Sequence, residues 1–162
     1  MRSIPVDRVD LMSIRNQALY NYWLGHNRVE NEACNLPHFS VIDPIEIPKI
    51  CLSNITLLEI ARDPFDIRVR LSGTMIERYH ERSQRGKRLL DVSEGAHISE
   101  VFDWYQEAAN KKVALWSDLK FVTDNGALLN AERVALPFVD DQGDVCRILS
   151  CIEFSGRPKG FF

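Results

Sequence analysis

Residues 66–79 place the strongest constraint on the fold of this chain. Polar and apolar side chains alternate there, in the order Asp66, Ile67, Arg68, Val69, Arg70, Leu71 and Ser72. This period of two predicts a strand with one buried and one solvated face. Gly73 and Thr74 then end the alternation, and the Thr74 hydroxyl is suited to cap a following short helix. A strand that leads directly into helices sets the topology of the rest of the chain.

Size and composition indicate one folded domain. The chain has 162 residues, 45% of them hydrophobic and 27% charged, which is enough to bury a core without disulfides. A net charge of −3 gives no basic field, so nucleic acid is not expected as a partner. The N-terminus lacks the apolar core of a signal peptide, and no apolar run approaches a membrane span. We therefore expect a cytoplasmic protein.

An amphipathic helix is predicted before the sheet, beginning at Asp7 or Asp10 and ending near Gly25. Its apolar face comprises Leu11, Ile14, Ala18, Leu19, Tyr22 and Trp23. These side chains either cover the sheet of their own chain or contact the same helix in a second copy. The second alternative predicts a homodimer.

An ordered but irregular connector follows at residues 30–48. It contains Pro37, Pro44 and Pro48, each of which disfavours helix in the residue before it. A brief helix is expected at residues 45–52, entered through Pro44.

Five strands are predicted, at residues 55–62, 66–73, 113–123, 127–137 and 145–154. Two helical segments lie between the second and third strands, at residues 75–93 and 96–110. The fold class is therefore α+β, with a five-stranded antiparallel sheet, helices on one face and the N-terminal helix flanking it. We divide the chain into the N-terminal helix and connector, the core and a loose tail, at residues 1–52, 53–156 and 157–162.

This order of elements resembles the PAS sensor fold and, more narrowly, a PAS-like family of small alphaproteobacterial proteins. Four landmarks carry the resemblance: Leu19-Tyr20-Asn21-Tyr22-Trp23, Leu36-Pro37 with Ile42-Asp43-Pro44, Arg68-Val69-Arg70-Leu71-Ser72-Gly73-Thr74, and Val134-Ala135-Leu136-Pro137-Phe138. The family often has a basic residue shortly after the connector proline, where this chain has His38 and Phe39. The resemblance implies a non-catalytic sensory or protein-interaction module that is commonly dimeric, and it supplies no cofactor.

A PAS-like architecture places a cavity between the inner face of the sheet and the helices between strands two and three. The predicted lining residues are Phe102, Tyr105, Leu115, Ser117, Phe121, Ile148 and Ser150. The two serines interrupt apolar faces, so they either orient a small ligand or bond to nearby backbone in a filled core.

No cofactor is predicted. His80 and His97 are the candidates for a haem ligand, but both are expected on solvated helix surfaces. A flavin photosensor of the related light-sensing type needs an Asn-Cys-Arg-Phe-like motif ahead of its pocket helix, and residues 85–93 contain no cysteine. Cys34, Cys51, Cys146 and Cys151 show no Cys-x-x-Cys spacing and are expected to be free thiols, with no metal.

Enzymatic motifs are also absent, since the chain has no P-loop, Gly-x-Ser-x-Gly or His-Glu-x-x-His pattern. A basic cluster from Arg78 to Arg88 is interleaved with acidic residues and is expected to be a solvated face. The leading hypothesis is a sensory or regulatory module that binds a small ligand, a separate signalling protein, or both. A ligand-free dimerisation or adaptor module is the alternative, and a small enzyme is a more distant one.

Overall fold

A computed structural model describes residues 2–6, 13–27, 35–80, 82–92, 96–122 and 128–155. The strands are β1 Arg2–Pro5, β2 Ile55–Arg62, β3 Phe65–Ser72, β4 Leu115–Val122, β5 Leu128–Val139 and β6 Val145–Ser155. The helices are α1 Ile14–Gly25, α2 Thr74–His80 and α3 Ala96–Lys111. Short 3-10 turns occur at Phe39–Val41, Lys49–Cys51 and Leu89–Asp91.

The six strands form one antiparallel sheet in the order β1-β4-β5-β6-β2-β3. The α+β class and the five predicted strands are confirmed, with β2 matching residues 55–62 as expected. The expected number of strands was wrong, because β1 adds a sixth along the outer edge of β4. This strand is only four residues long and ends at a proline, so it carries too few residues to show a period of two.

Gly73 fixes the junction between β3 and α2. Its N–H donates to the Ile55 carbonyl at 2.8 Å, and the N–H of Met75 donates to the Ser53 carbonyl at 2.8 Å. A Cβ atom at Gly73 would overlap the Ser53 carbonyl group and lie 2.7 Å from the Leu52 carbonyl oxygen. The chain therefore turns from strand into helix against the backbone that leads into β2.

The predicted helical stretch at residues 75–93 is shorter than expected. α2 ends at His80, and Gly86 adopts a φ of +82°, a conformation that glycine accepts most readily. The Gly86 N–H donates to the Val69 carbonyl at 2.6 Å, and the Val69 N–H donates to the Lys87 carbonyl at 2.9 Å. This segment thus runs back along the outer edge of β3. The connector helix expected at residues 45–52 is likewise reduced to the turn Lys49–Cys51, with Pro48 before it.

The sheet is covered on both faces. One apolar cluster joins α3 and the turn Leu89–Asp91 to residues of the inner face such as Leu58, Val69 and Ile148. A second cluster joins α1 and Cys51 to the opposite face, where Val134 and Leu136 of β5 lie. Successive side chains of a strand point to opposite faces, so β5 serves both clusters.

α1 packs on the sheet of its own chain. Ser13 caps it by accepting the Asn16 N–H at 3.2 Å, so the helix begins at Ile14 and not at Asp7 or Asp10. The Trp23 indole N–H donates to the Pro137 carbonyl at 2.9 Å, and Leu19 is fully buried.

The remaining members of the predicted apolar face have different environments. Ile14 is 73% exposed, whereas Ala18 and Tyr22 are partly buried against the second cluster. Leu11 lies outside the described residues, as do Cys34 and the tail at residues 157–162. Within the described part, every helix is too short or too polar to span a membrane.

Candidate functional site

A cavity of about 100 Å³ lies between the inner face of the sheet and the segment from α2 to α3. Its volume is closer to that of a ~150 Å³ cavity that accommodates benzene than to the ~300–1,000 Å³ of pockets for drug-sized ligands. Most of the lining is apolar and includes Leu58, Val69, Ile76, Val101 and Leu119. The cavity therefore suits a compact molecule.

Three polar side chains rise from the sheet floor of the cavity. Thr56 of β2 and Ser72 of β3 are direct cross-strand partners, and both line it. Arg133 of β5 pairs with Ile152 of β6, which lies between Arg133 and the β2–β3 hairpin. Because neighbouring strands are ~4.8 Å apart, Arg133 and Thr56 start from backbones separated by ~10 Å. The floor thus has a cationic side and a hydroxyl side.

Four polar side chains reach the cavity from the segments that cover the sheet. These are His80, Gln84, His97 and Tyr105. Gln84 is almost completely buried, and its side-chain amide donates to the Arg82 carbonyl at 3.1 Å. Phe154 of β6 forms another wall, and its ring stacks on Tyr79 of α2 with 3.7 Å between centroids. α2 is therefore attached directly to the cavity wall.

Among the charged side chains that the structure describes, that of Arg133 is the buried one, with 5% exposure. Its guanidinium carbon lies 5.5 Å from the centroid of the Trp104 ring, within range for a cation–π contact. Burial lowers the pKa of the Arg133 guanidinium, and the neighbouring Tyr105 hydroxyl acts in the opposite direction. Arginine stays protonated in proteins, so a positive charge lies beside an apolar cavity.

Several buried polar atoms of the cavity have no hydrogen-bond partner among the described residues. They are Thr56 Oγ1, Ser72 Oγ, Gln84 Oε1 and Arg133 Nε. A buried polar atom without a partner costs about 1–3 kcal/mol, so such atoms are rare in folded proteins. Four of them around one cavity indicate a place where a ligand or ordered water completes the hydrogen bonding.

Of the predicted lining residues, Tyr105 lines the cavity. Its hydroxyl donates to Ser150 Oγ at 2.9 Å, and Ser150 donates to the Val134 carbonyl at 2.7 Å. Ser150 therefore bonds to nearby backbone, which is the second of the two roles predicted for this serine. Ser117 is fully buried in register beside Arg133, and its hydroxyl has no partner among the described residues.

The other predicted residues lie in the packed core or cannot be placed. Leu115 and Ile148 are buried in the inner cluster, and Phe102 packs edge-on against Phe65 with 5.8 Å between centroids. The backbone of Phe121 belongs to β4, but its side chain lies outside the described residues.

The expectation that His80 and His97 lie on solvated surfaces was wrong. Both are half-buried and line the cavity, because α2 and the start of α3 lean over the sheet. Arg133 and Gln84 were missed altogether. A signal for Arg133 was present, since it alternates with Ala131 and Ala135 on the inward side of a strand. Gln84 gave none, as it lies in a polar run.

The basic cluster at residues 78–88 is largely exposed, and Arg88 contacts the Asp66 carboxylate at 2.9 Å. On the opposite face of the sheet, Cys51 and Cys151 are buried free thiols, and Cys51 Sγ donates to the Arg15 carbonyl at 3.2 Å. A hydrogen bond with Cys51, together with burial, raises the pKa of the Cys151 thiol. Among the described residues, no three His, Cys, Asp or Glu side chains are grouped so as to hold a metal.

A family model described as PAS domain matches residues 11–153. The chain belongs to the PAS domain family. The match covers α1, the connector and the sheet from β2 almost to the end of β6, and it includes all the described lining residues of the cavity except Phe154. A search of the curated proteins finds none that matches.

Several solved structures are similar to this chain. The Rhodobacter sphaeroides LOV protein is 14% identical with a TM-score of 0.50, and the match covers 66% of this chain and 61% of that one. The Aureochrome1 LOV photoreceptor is 11% identical with a TM-score of 0.49, covering 70% and 90%. The N-terminal PAS/PAC sensor domain of a diguanylate cyclase from Marinobacter aquaeolei is 15% identical with a TM-score of 0.44, covering 61% and 93%. At these identities the likeness concerns the fold alone.

Proposed function

We propose that this PAS domain is a non-catalytic sensory or regulatory module that binds a small ligand in the cavity. The observation that supports it is the group of buried polar atoms without partners around a compact apolar space. By contrast, Ser150 does not line the cavity, and its hydroxyl donates to the Val134 carbonyl.

The proposed mechanism passes from the cavity to α1 through β5. Arg133 faces the cavity, and its neighbours Glu132 and Val134 face α1. The Glu132 carboxylate accepts the N–H of Ser13 at 3.1 Å, and the Glu132 carbonyl accepts the side-chain amide of Asn16 at 3.3 Å. A ligand that moves Arg133 therefore also moves its neighbour Glu132, whose carboxylate contacts Ser13, the N-cap residue of α1.

A partner protein would complete this mechanism. Ile14 is 73% exposed, Ile45 is 87% exposed and Ile50 is 47% exposed. The start of α1 contacts the turn Lys49–Cys51, where the Arg15 side chain donates to the Ile50 carbonyl at 2.9 Å. These apolar side chains also favour the second candidate function, a ligand-free module that forms a homodimer or an adaptor complex.

Neither haem nor flavin enters the proposal. His80 and His97 do line the cavity, but a volume of about 100 Å³ is small for either cofactor. The flavin photochemistry of light-sensing relatives uses a cysteine at the pocket, and the described lining residues include none. Cys51 and Cys151 belong to the cluster on the opposite face of the sheet.

Native mass spectrometry of freshly purified protein, compared with its denatured mass, tests the proposal. We expect extra mass that disappears on denaturation. Ala131→Leu adds bulk directly into the cavity and should abolish the extra mass. Ala61→Leu is the matched control, since Ala61 is exposed at the end of β2. A bare wild-type mass, monomeric or dimeric, would contradict ligand retention and favour the interaction module.

A further inference from the structure

We propose that the ligand is a small monocarboxylate with a compact apolar body, whose carboxylate pairs with Arg133. This inference rests on the proposed function, because it requires that the cavity binds a ligand. It specifies the chemical class that the cavity selects.

Arg133 is buried and has no acidic partner in the described structure. Ion pairs hold four of the other described arginines, namely Arg15 with Glu153, Arg70 and Arg147 with Glu59, and Arg88 with Asp66. Arg133 is more buried than any of these, yet its neighbours Trp104 and Tyr105 carry no negative charge. A buried charge is normally paired, since desolvation without compensation is expensive. An anion from outside the chain would supply that pair.

The guanidinium is already held in position for such an anion. One side of it faces the Trp104 ring, which limits its rotation, and Arg133 Nε has no partner. A guanidinium presents its N–H groups as a planar fork that fits both oxygens of a carboxylate. The side chain therefore offers a preformed carboxylate site.

The charge and size of the cavity limit the anion to a small monoanion. None of the described lining residues is Asp or Glu, so nothing acidic there opposes an anion. The rest of the lining is mainly aliphatic, and the volume of about 100 Å³, below that of a ~150 Å³ cavity that accommodates benzene, limits the body to a single small ring at most. A phosphate dianion would be less well compensated by one guanidinium in such apolar surroundings.

The far side of the floor offers further selectivity. The hydroxyls of Thr56 and Ser72 and the Gln84 carbonyl oxygen are buried without described partners. Thr56 and Ser72 lie across the cavity floor from Arg133, beyond Ile152, whereas Gln84 reaches the cavity from the segment that covers the sheet. A hydroxyl or amine substituent opposite the carboxylate would meet them, so such a derivative should bind more tightly than the unsubstituted acid.

The test is isothermal titration with benzoate, with its neutral isostere benzamide and with inorganic phosphate. Wild-type protein, freed of any retained molecule, should bind benzoate about tenfold or more tightly than benzamide, and phosphate more weakly than benzoate. Arg133→Gln should remove the preference for benzoate. Arg147→Gln is the matched control, because Arg147 also contacts an aromatic ring, Phe39 at 5.7 Å, but does not line the cavity.

Thermal unfolding provides a second readout. Arg133→Met removes a buried charge that lacks an acidic partner, so we expect it to unfold at a higher temperature than ligand-free wild type. Benzoate should then raise the Tm of wild type but not of Arg133→Met. A lower Tm for Arg133→Met, or failure of Arg133→Gln to fold, would identify a structural arginine and overturn the proposal.

The outcomes separate this inference from the proposed function. Equal binding of benzoate and benzamide, unaffected by Arg133→Gln, would overturn the carboxylate assignment and leave a ligand-binding module in place. Retention of a neutral molecule in the native mass spectrum would do the same. A protein that retains nothing and binds none of the probes would overturn both.

Discussion

Gly73 occupies a position where the backbone leaves no room for a side chain. The carbonyl groups of Leu52 and Ser53 lie where its Cβ would be, and two backbone hydrogen bonds hold the strand–helix junction at this point. This junction also sets where α2 begins, and therefore where Ile76 and His80 meet the cavity.

Gly73→Ala is expected to destabilise the protein by about 1–3 kcal/mol, as an overpacked position does. Backbone carbonyls cannot move aside as a flexible side chain can. Urea unfolding at equilibrium measures the change. Gly25→Ala is the matched control, since nothing lies within 4 Å of its Cβ position, and it should change stability by less than about 0.5 kcal/mol. Equal effects of the two substitutions would contradict the close approach.

At the residue scale, the local sequence pattern predicted on which face of the sheet a side chain lies, but not what surrounds the side chain there. The period of two correctly predicted that Ser117 and Ser150 lie on the inner face of the sheet. Both are buried, and Ser150 is the hydrogen-bond partner of Tyr105. It could not predict which part of that face is open space, because this depends on where the segment from Gln84 to Val92 folds back. His97 was misjudged for the same reason, as its burial comes from distant elements and not from its own helix.

At the element scale, the burial of α1 is concentrated on one part of its predicted apolar face. Leu19 and Trp23, which belong to that face, are the buried pair, whereas Ala18 and Tyr22 are only partly buried. The two pairs are offset by one residue, or ~100° around the helix. Trp23 has the larger apolar surface and an indole N–H that reaches Pro137, so its burial determines the rotation of the helix.

Trp23→Ala should destabilise the folded chain by about 3–5 kcal/mol, the usual effect of removing a buried aromatic side chain. It also leaves the Pro137 carbonyl without the indole N–H. Thermal unfolding with analytical ultracentrifugation measures stability and association together. Leu24→Ala, at a 42% exposed position on the same helix, is the control and should leave stability nearly unchanged. A dimer that dissociates into stable monomers on Trp23→Ala would instead show that Trp23 holds two copies together.

The strands were the most predictable elements. β2 matched its predicted limits and β3 was displaced by one residue, because aliphatic residues and the Asp63-Pro64 turn mark the hairpin locally. β1 was missed because its pairing with β4 connects residues more than a hundred positions apart. Long-range pairing of a short strand leaves no local trace in the sequence.

At the scale of the whole molecule, three described cysteines report on different parts of the fold. Cys146 is half-buried at the start of β6, whereas Cys51 and Cys151 are fully buried between α1 and the sheet. Access to the buried pair requires that α1 or the turn Lys49–Cys51 moves away.

Iodoacetamide should therefore alkylate Cys146 at least about tenfold faster than Cys51 or Cys151 in the folded protein, since a buried thiol reacts only after local opening. Peptide mapping by mass spectrometry gives the three rates. In urea the rates should converge, which controls for intrinsic reactivity. Fast labelling of Cys51 under native conditions would show that the α1 face opens readily.

The pairing at the two outer strands has a consequence for behaviour in concentrated solution. β1 hydrogen-bonds along β4, and the segment at residues 86–88 does so along part of β3. A long unpaired edge strand is the usual template on which further chains add, one after another, into fibrils. Here, β1 and residues 86–88 already occupy part of the strand edges on which a further chain would add. The edges left open in the described backbone are that of the four-residue β1 and part of β3, and such short edges are poor templates for amyloid-like growth.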